Sequence, residues 1–170
     1  MRSAEAAILA AALSVCGEAR AERVVAGVGP EALIAAFAGA GLTTLEEATA
    51  DPAAPSVLAR RPDGLAVQAT FLACANETAC QGLALSAVLP ARSVALARKV
   101  AAAVEARALG FDAWVQADPP AAVIDVYLAF DGGVSDQLLP ATLKALDRTL
   151  DEAKALLLQQ DPRAAELWRP

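Results

Sequence analysis

The chain has 170 residues, a net charge of −6 and no histidine. This length suits one domain with a buried core, and an acidic chain without a basic cluster argues against binding to nucleic acid or to an anionic membrane surface. Because histidine is the commonest general base and metal ligand, its absence also argues against acid–base catalysis and against a metal centre.

Residues 1–21 have the pattern of a secretory signal peptide. Arg2 gives the positive start, residues 6–15 form an apolar run, and residues 19–21 read Ala-Arg-Ala, an A-x-A cleavage site. The pattern predicts export to the periplasm, where cysteines oxidise. Two alternatives stay open: an ordinary alanine-rich helix, and a lipoprotein with Cys16 as the lipid-bearing residue. Beyond this leader no apolar run reaches about 18 residues, so no membrane span is predicted.

One helix and two strands are predicted next. An extended segment at residues 22–28 leads to the helix, which is expected to begin at residues 29–31, because proline suits the first helical position and glutamate suits the positive end of the helix dipole. Gly39 and Gly41 are expected to end the helix. The elements that follow are a strand, a break, a strand and a tight turn, at residues 42–49, 51–55, 56–60 and 61–64.

A β-hairpin is predicted at residues 65–89, because apolar residues alternate there with small or polar ones. The apolar face is expected to meet a layer of helices, and the mixed face to be solvated or only partly covered. The apolar face consists of Leu65, Val67, Ala69, Phe71, Ala73, Leu83, Leu85, Ala87 and Leu89.

Two cysteines, Cys74 and Cys80, flank the loop of this hairpin. If the strands pair so that the two residues are opposite each other, a disulfide fits between them and stabilises the fold by about 2 kcal/mol. The alternative is a pair of reduced, half-buried thiols. A zinc site is not expected, because two thiolates without histidine leave a tetrahedral site incomplete.

The second half of the chain is predicted to contain two helices and another hairpin. Ser93 is expected to cap a helix that runs to residue 109. Two strands follow, residues 111–117 with Trp114 and residues 122–130 with Tyr127 facing outward. Ser135 is expected to open a short helical turn, and the main helix to begin at Pro140. The predicted strands and helices give an α+β fold, an antiparallel sheet with helices packed on one face.

The last helix carries a continuous apolar stripe, and a polar tail at residues 161–170 is expected to be loose. The stripe is typical of core packing, and a self-association seam is the alternative. Its members are Leu139, Leu143, Leu146, Leu150, Ala153 and Leu157.

Several local motifs, taken in their order along the chain, resemble the YbjN family, a group described as bacterial sensory transduction regulators. The resemblance covers residues 30–158. The motifs that carry it are Pro30-Glu31-Ala32-Leu33, Phe71-Leu72-Ala73-Cys74, Cys80-Gln81-Gly82-Leu83, Ala113-Trp114-Val115 and Asp131-Gly132-Gly133-Val134-Ser135.

The resemblance implies a fold similar to type III secretion chaperones, with the element order α-β-β-β-β-α-β-β-α and no known enzyme activity. Members that are similar to this chain often carry an export signal. The chain departs from the family at two places. The family often has glycine where Ala73 stands, and its Trp-Asn pair in the second helix is replaced around Val104 and Glu105.

The sequence therefore predicts a leader at 1–21, one domain at 22–160 and a tail at 161–170. The expected function is an exported, non-enzymatic binding or regulatory module for an unknown protein or peptide, with Trp114 and Tyr127 as candidate partner-binding residues. The alternative is a scaffolding protein that self-associates, as a homodimer for instance, through its last helix.

No cofactor and no metal are expected, and an enzyme is not predicted. The paired carboxylates Glu46–Glu47 and Asp151–Glu152 are each adjacent in sequence and would not face each other on a helix.

Overall fold

The computed structural model describes residues 24–25, 27–48, 54–75, 80–108, 110–130 and 133–168, without the side chains of residues 25 and 46–48. The predicted leader with Cys16, part of the predicted break at 51–55 and the first two residues of the motif at 131–135 lie outside the described residues.

The order of helices and strands along the chain is largely the one that the sequence predicts, and the fold is α+β. The three α-helices are α1 (Pro30–Gly39), α2 (Val94–Arg107) and α3 (Leu138–Gln160), and a 3₁₀ helix spans Pro162–Leu167. The strands are β1 (Val24–Val25), β2 (Thr43–Ala48), β3 (Ser56–Arg60), β4 (Ala66–Cys74), β5 (Cys80–Pro90), β6 (Asp112–Ala117), β7 (Pro120–Ala129) and β8 (Val134–Ser135).

Six of these strands form one antiparallel sheet in the order β2-β3-β4-β5-β7-β6. The tight turn between β3 and β4 is closed by a hydrogen bond of 2.8 Å from the Arg61 amide to the Leu65 carbonyl. Gly64 has a φ of +91° in this turn, a conformation that glycine adopts without a steric penalty. The hairpin predicted at residues 65–89 corresponds to β4 and β5, which pair antiparallel, so this prediction is confirmed. It occupies the centre of the sheet.

The core lies between one face of the sheet and the helices. The inward positions of β4 and β5, such as Val67, Phe71 and Leu85, are fully buried, as alternation predicts. Ala73 is predicted on the same face but is exposed, because the backbone leaves the extended conformation there, with a φ of +50°. Helix α2 begins after Ser93, whose hydroxyl accepts a hydrogen bond from the Leu96 amide, as the sequence predicts. A single apolar core on one side of the sheet leaves the other side without a helical layer in the described part of the chain.

The apolar stripe of α3 packs into this core. Its members are all buried within one chain: Leu139, Leu143, Leu146, Leu150, Ala153 and Leu157. These side chains are therefore occupied by intramolecular packing, and they do not form the exposed seam that self-association through the last helix requires.

Two predictions for the C-terminal part are wrong. Ser135 is part of β8, which pairs with β1 through Val24↔Ser135 and Val25↔Val134, and not of a helical turn; its hydroxyl accepts a hydrogen bond of 3.1 Å from the Gln137 amide in the turn before the last helix. The main helix then begins at Leu138, and Pro140 fits in its first turn, where no backbone N–H is needed.

The tail is the second correction. Residues 162–167 form a 3₁₀ helix, and Trp168 is only 6% exposed. Its indole Nε1 donates a hydrogen bond of 3.2 Å to the Pro90 carbonyl. Burial of this large side chain holds residues 161–168 against the domain. Among the described residues, no helix is both long and apolar enough to cross a membrane.

Candidate functional site

The outward face of the sheet is the candidate site, and we call it the open face. It consists of the side chains that alternate with the core positions on the central and last strands, here Gln68, Thr70, Leu72, Ala84, Ser86, Val88, Asp112, Trp114, Val123, Asp125 and Tyr127. Among the described residues, most of the large hydrophobic side chains that remain exposed lie on this face, namely Leu72, Val88, Trp114 and Tyr127. Exposed apolar side chains grouped on one surface are typical of an interaction site.

Trp114 and Tyr127, the two residues predicted from the sequence to bind a partner, lie on the same face. Trp114 is 49% exposed and Tyr127 is 62% exposed. Trp114 on β6 lies directly across from Val123 on β7, and Tyr127 follows four residues further along β7. At about 3.4 Å per residue the two aromatic positions are about 14 Å apart. They therefore flank a shared surface and do not stack on each other.

Asp125 occupies the position between the two aromatic side chains. The indole Nε1 of Trp114 donates a hydrogen bond of 2.7 Å to Asp125 Oδ2. The ring therefore lies along β7, and Val123 beneath it is only 3% exposed. Asp125 Oδ1 is shielded from solvent and has no hydrogen-bond partner among the described residues. The sequence places Asp125 on the outward face, but nothing in it signals the bond to Trp114.

Asp112 lies directly opposite Asp125 on the same face. Two carboxylates in this relation have Cβ atoms about 5 Å apart, and like charges placed so destabilise a strand pair. In the described part of the chain, neither carboxylate takes part in an ion pair. The aromatic part of the open face is thus locally acidic.

The floor of the open face is built from small residues on β5, namely Gly82, Ala84 and Ser86. Ala84 and Ser86 on β5 lie opposite Thr70 and Gln68 on β4. Gly82 is confined as well, because a Cβ there would lie 3.0 Å from the Leu128 carbonyl oxygen. A floor of this kind lets another backbone or side chain approach the sheet closely.

The disulfide lies at one end of the hairpin. Cys74 and Cys80 are paired across β4 and β5, and their sulfurs are 2.11 Å apart. The predicted bond is therefore confirmed, and Cys80 is buried in the core. Ala73, just before the first cysteine, has a φ of +50°, a left-handed conformation that favours glycine. Part of the predicted hairpin loop, residues 76–79, lies outside the described residues.

A second group of charges lies on the helical side of the sheet, and we call it the Arg61 cluster. It consists of Arg61, Asp63, Asp147, Asp151 and Lys154. The Arg61 guanidinium is nearly buried and bonds to Asp147 at 3.0 Å and to Asp151 at 2.6 Å. Because each carboxylate of the cluster has a cationic partner, the group joins the β3–β4 turn to α3.

Asp63 shows the electrostatics of this cluster. Partial burial by itself would raise the pKa of Asp63, but hydrogen bonds from the Lys154 side chain and the Leu65 amide, with the nearby Arg61 charge, outweigh it. The pKa of Asp63 therefore lies below its ordinary value of 3.8. The Lys154 ammonium also lies 5.4 Å from the centre of the Trp168 ring, which connects the cluster to the C-terminal segment.

The carboxylate pairs considered for catalysis do not form a convergent site. Asp151 is bonded to Arg61, whereas its neighbour Glu152 lines a narrow groove between α2 and α3. The side chains of Glu46 and Glu47 are not described. No group of three or more acidic, histidine or cysteine side chains in the described ranges is arranged to hold a metal ion.

No family model matches the chain, and no curated protein matches it either. Its fold is shared with solved structures, among them the following two. YbjN from Escherichia coli, a proposed transcription regulator, superposes with a TM-score of 0.54 at 16% identity, covering 83% of this chain and 97% of that one. An uncharacterised protein from Methanothermobacter thermautotrophicus gives a TM-score of 0.54 at 12% identity, covering 76% and 96%.

These likenesses confirm the YbjN-like α+β fold that the motifs predict, over most of the chain. At such low identity they establish the architecture alone.

Proposed function

We propose that this protein is a non-enzymatic regulatory module that binds a protein or peptide through the open face of its sheet. The observation that carries the proposal is the exposure of Trp114 and Tyr127 on one face that no described helix covers. Aromatic side chains are enriched at interfaces, because each contributes a large contact area at a low cost in conformational entropy. The likeness to YbjN, described as a proposed transcription regulator, supports a regulatory role.

The proposal includes work outside the reducing cytosol, in the periplasm. Disulfides persist in oxidising compartments and are rare in the cytosol. The Cys74–Cys80 bond supports this compartment, and so does the signal-peptide pattern of residues 1–21.

Capture of partners by the oxidised chain tests the binding role. Wild type, the double variant Trp114→Ala/Tyr127→Ala and a control Leu167→Ala are each immobilised and exposed to a periplasmic extract. Leu167 is an exposed apolar residue outside the sheet, so it controls for general stickiness. We expect a protein that wild type and the control retain and the double variant loses, quantified by mass spectrometry. Equal capture by all three would refute the role of the open face.

Localisation requires a separate measurement. Fractionation of cells that express the full chain, followed by thiol alkylation before reduction, reports both the compartment and the oxidation state. We expect the protein in the periplasmic fraction with Cys74 and Cys80 protected from alkylation. A cytosolic protein with alkylated cysteines would refute export.

A further inference from the structure

β6 is the edge of the sheet best suited to accept another strand. In the described part of the chain it has one neighbouring strand, β7, and its register with β7 is regular from Asp112 to Ala117. The opposite edge, β2, is interrupted by a register shift between Thr44 and Glu46. Natural edges are commonly protected by charged side chains, proline or a bulge; β6 has no proline and no bulge, and its one charged residue is Asp112. A partner segment could therefore extend the sheet at β6 through backbone hydrogen bonds.

The charge next to this edge selects the partner. A strand added at β6 would place one side chain about 5 Å from Asp112 on the open face, and about 10 Å from Asp125. A cation at that position would offset the repulsion between the two carboxylates, which have no ion-pair partner among the described residues. A lysine or arginine side chain is long enough to extend from that position toward the exposed ring of Trp114, which would attract the charge within about 6 Å.

A second copy of this chain does not supply that cation. Two β6 edges would bring together strands that contain Asp112 and no lysine or arginine. The chain is acidic overall, with a net charge of −6, so it would steer a basic partner toward itself and repel its own copies.

We infer that the open face binds an extended segment of another protein, added alongside β6, with a lysine or arginine placed against Asp112 and Trp114. This inference rests on the proposed function and specifies its partner class. The backbone of β6 supplies the affinity, and the carboxylates supply the preference for a basic residue.

A library of random octapeptides displayed on phage tests the inference. Selections are run in parallel on the oxidised chain, on Asp112→Asn, and on Trp114→Ala/Tyr127→Ala. Asp112 is exposed, so the amide variant is expected to fold normally, which its urea unfolding midpoint checks. We expect the peptides enriched on wild type to carry a lysine or arginine flanked by β-branched residues.

Synthetic versions of the enriched peptides are then used to measure binding affinities. Replacement of the basic residue by glutamine, or of Asp112 by asparagine, should each weaken binding about fivefold by fluorescence anisotropy, the upper range for an exposed ion pair. This difference should shrink at high salt. Methylation of alternate backbone amides in the peptide should abolish binding, because an added strand needs those donors.

The outcomes separate this inference from the proposed function. Enriched peptides that need Trp114 and Tyr127 but lack a basic residue, or that bind Asp112→Asn equally, would overturn the inference and leave the proposed function standing. No enrichment that depends on the aromatic pair would overturn both. A concentration-dependent dimer in sedimentation that Trp114→Ala/Tyr127→Ala abolishes would assign the face to a second copy and overturn the inference as well.

Discussion

Replacement of Ala73 by glycine is expected to stabilise the protein. Ala73 has a φ of +50° and is the one non-glycine residue with a positive φ in the described part of the chain. It lies at the end of β4, immediately before Cys74 of the disulfide. The left-handed conformation brings its Cβ close to the following carbonyl oxygen, and glycine removes that contact.

The expected gain follows from two opposing terms. The left-handed conformation costs a residue with a Cβ about 1–2 kcal/mol. Glycine gives the unfolded chain more conformations, which lowers the stability by about 0.4–1 kcal/mol. The midpoints of these two ranges differ by about 0.8 kcal/mol, which is the expected net increase in the free energy of unfolding. For a domain of this size the melting temperature should rise by about 1–4 °C.

Urea unfolding of the oxidised protein, followed by circular dichroism, measures this change as a shift in midpoint at constant slope. Ala75→Gly is the matched control, because Ala75 is exposed and has no positive φ. The control should lose about 0.4–1 kcal/mol through the unfolded state alone. If Ala73→Gly lowered the midpoint as much as Ala75→Gly does, the reasoning from backbone strain would be refuted.

Three further predictions concern the disulfide, the Arg61 cluster and the C-terminal segment. Serine at both Cys74 and Cys80 should lower the free energy of unfolding by about 2 kcal/mol in urea, and an unchanged midpoint would contradict a stabilising bond. The lowered pKa of Asp63 stabilises the fold above its ordinary value of 3.8, and this contribution is lost as the pH falls through the folded pKa. Urea midpoints of Asp63→Asn should therefore fall less steeply below about pH 4 than those of wild type, and parallel curves would count against the cluster. Trp168→Ala should lower the free energy of unfolding by about 3–5 kcal/mol, measured by thermal or urea unfolding. A change below about 0.5 kcal/mol, which is typical of surface substitutions, would support the prediction that residues 161–170 are loose.

Much of the fold follows from local pattern. Strict alternation over residues 65–89 predicts β4 and β5, because a period of two places one set of side chains in the core. Helix signals at Pro30 and Ser93 predict where α1 and α2 begin. The cysteine pair is readable in the same way, since its spacing matches the hairpin register.

The errors arise where structure depends on distant partners. β8 is two residues long and exists only because β1 pairs with it from more than 100 residues earlier in the chain. Trp168 lies in a short C-terminal segment, and its indole bonds to the Pro90 carbonyl, 78 positions away. Neither the β1–β8 pairing nor the contact between Trp168 and Pro90 can be predicted from a short stretch of sequence.

Part of the candidate site could be predicted from the sequence, because alternation in a strand shows which face each side chain lies on. Alternation places Trp114 and Tyr127 on the outward face, which the register confirms. The bond from Trp114 to Asp125 and the pairing of Asp112 with Asp125 depend on how β6 aligns with β7. A shift of that alignment by one residue would change both contacts, and alternation alone gives the face of each side chain but not its partner on the next strand.

The placement of α3 at the end of the chain has a consequence for how the protein is made. This helix supplies six buried apolar side chains of the core, and none of them leaves the ribosome until the earlier strands have been synthesised. A nascent chain therefore contains the strand-forming sequence before the helix that packs on its apolar face. Its hydrophobic core cannot be completed until α3 has been synthesised. If the protein is exported as proposed, this late folding keeps the chain unfolded enough to pass through a translocation channel. Folding is then completed in the periplasm, where the disulfide forms.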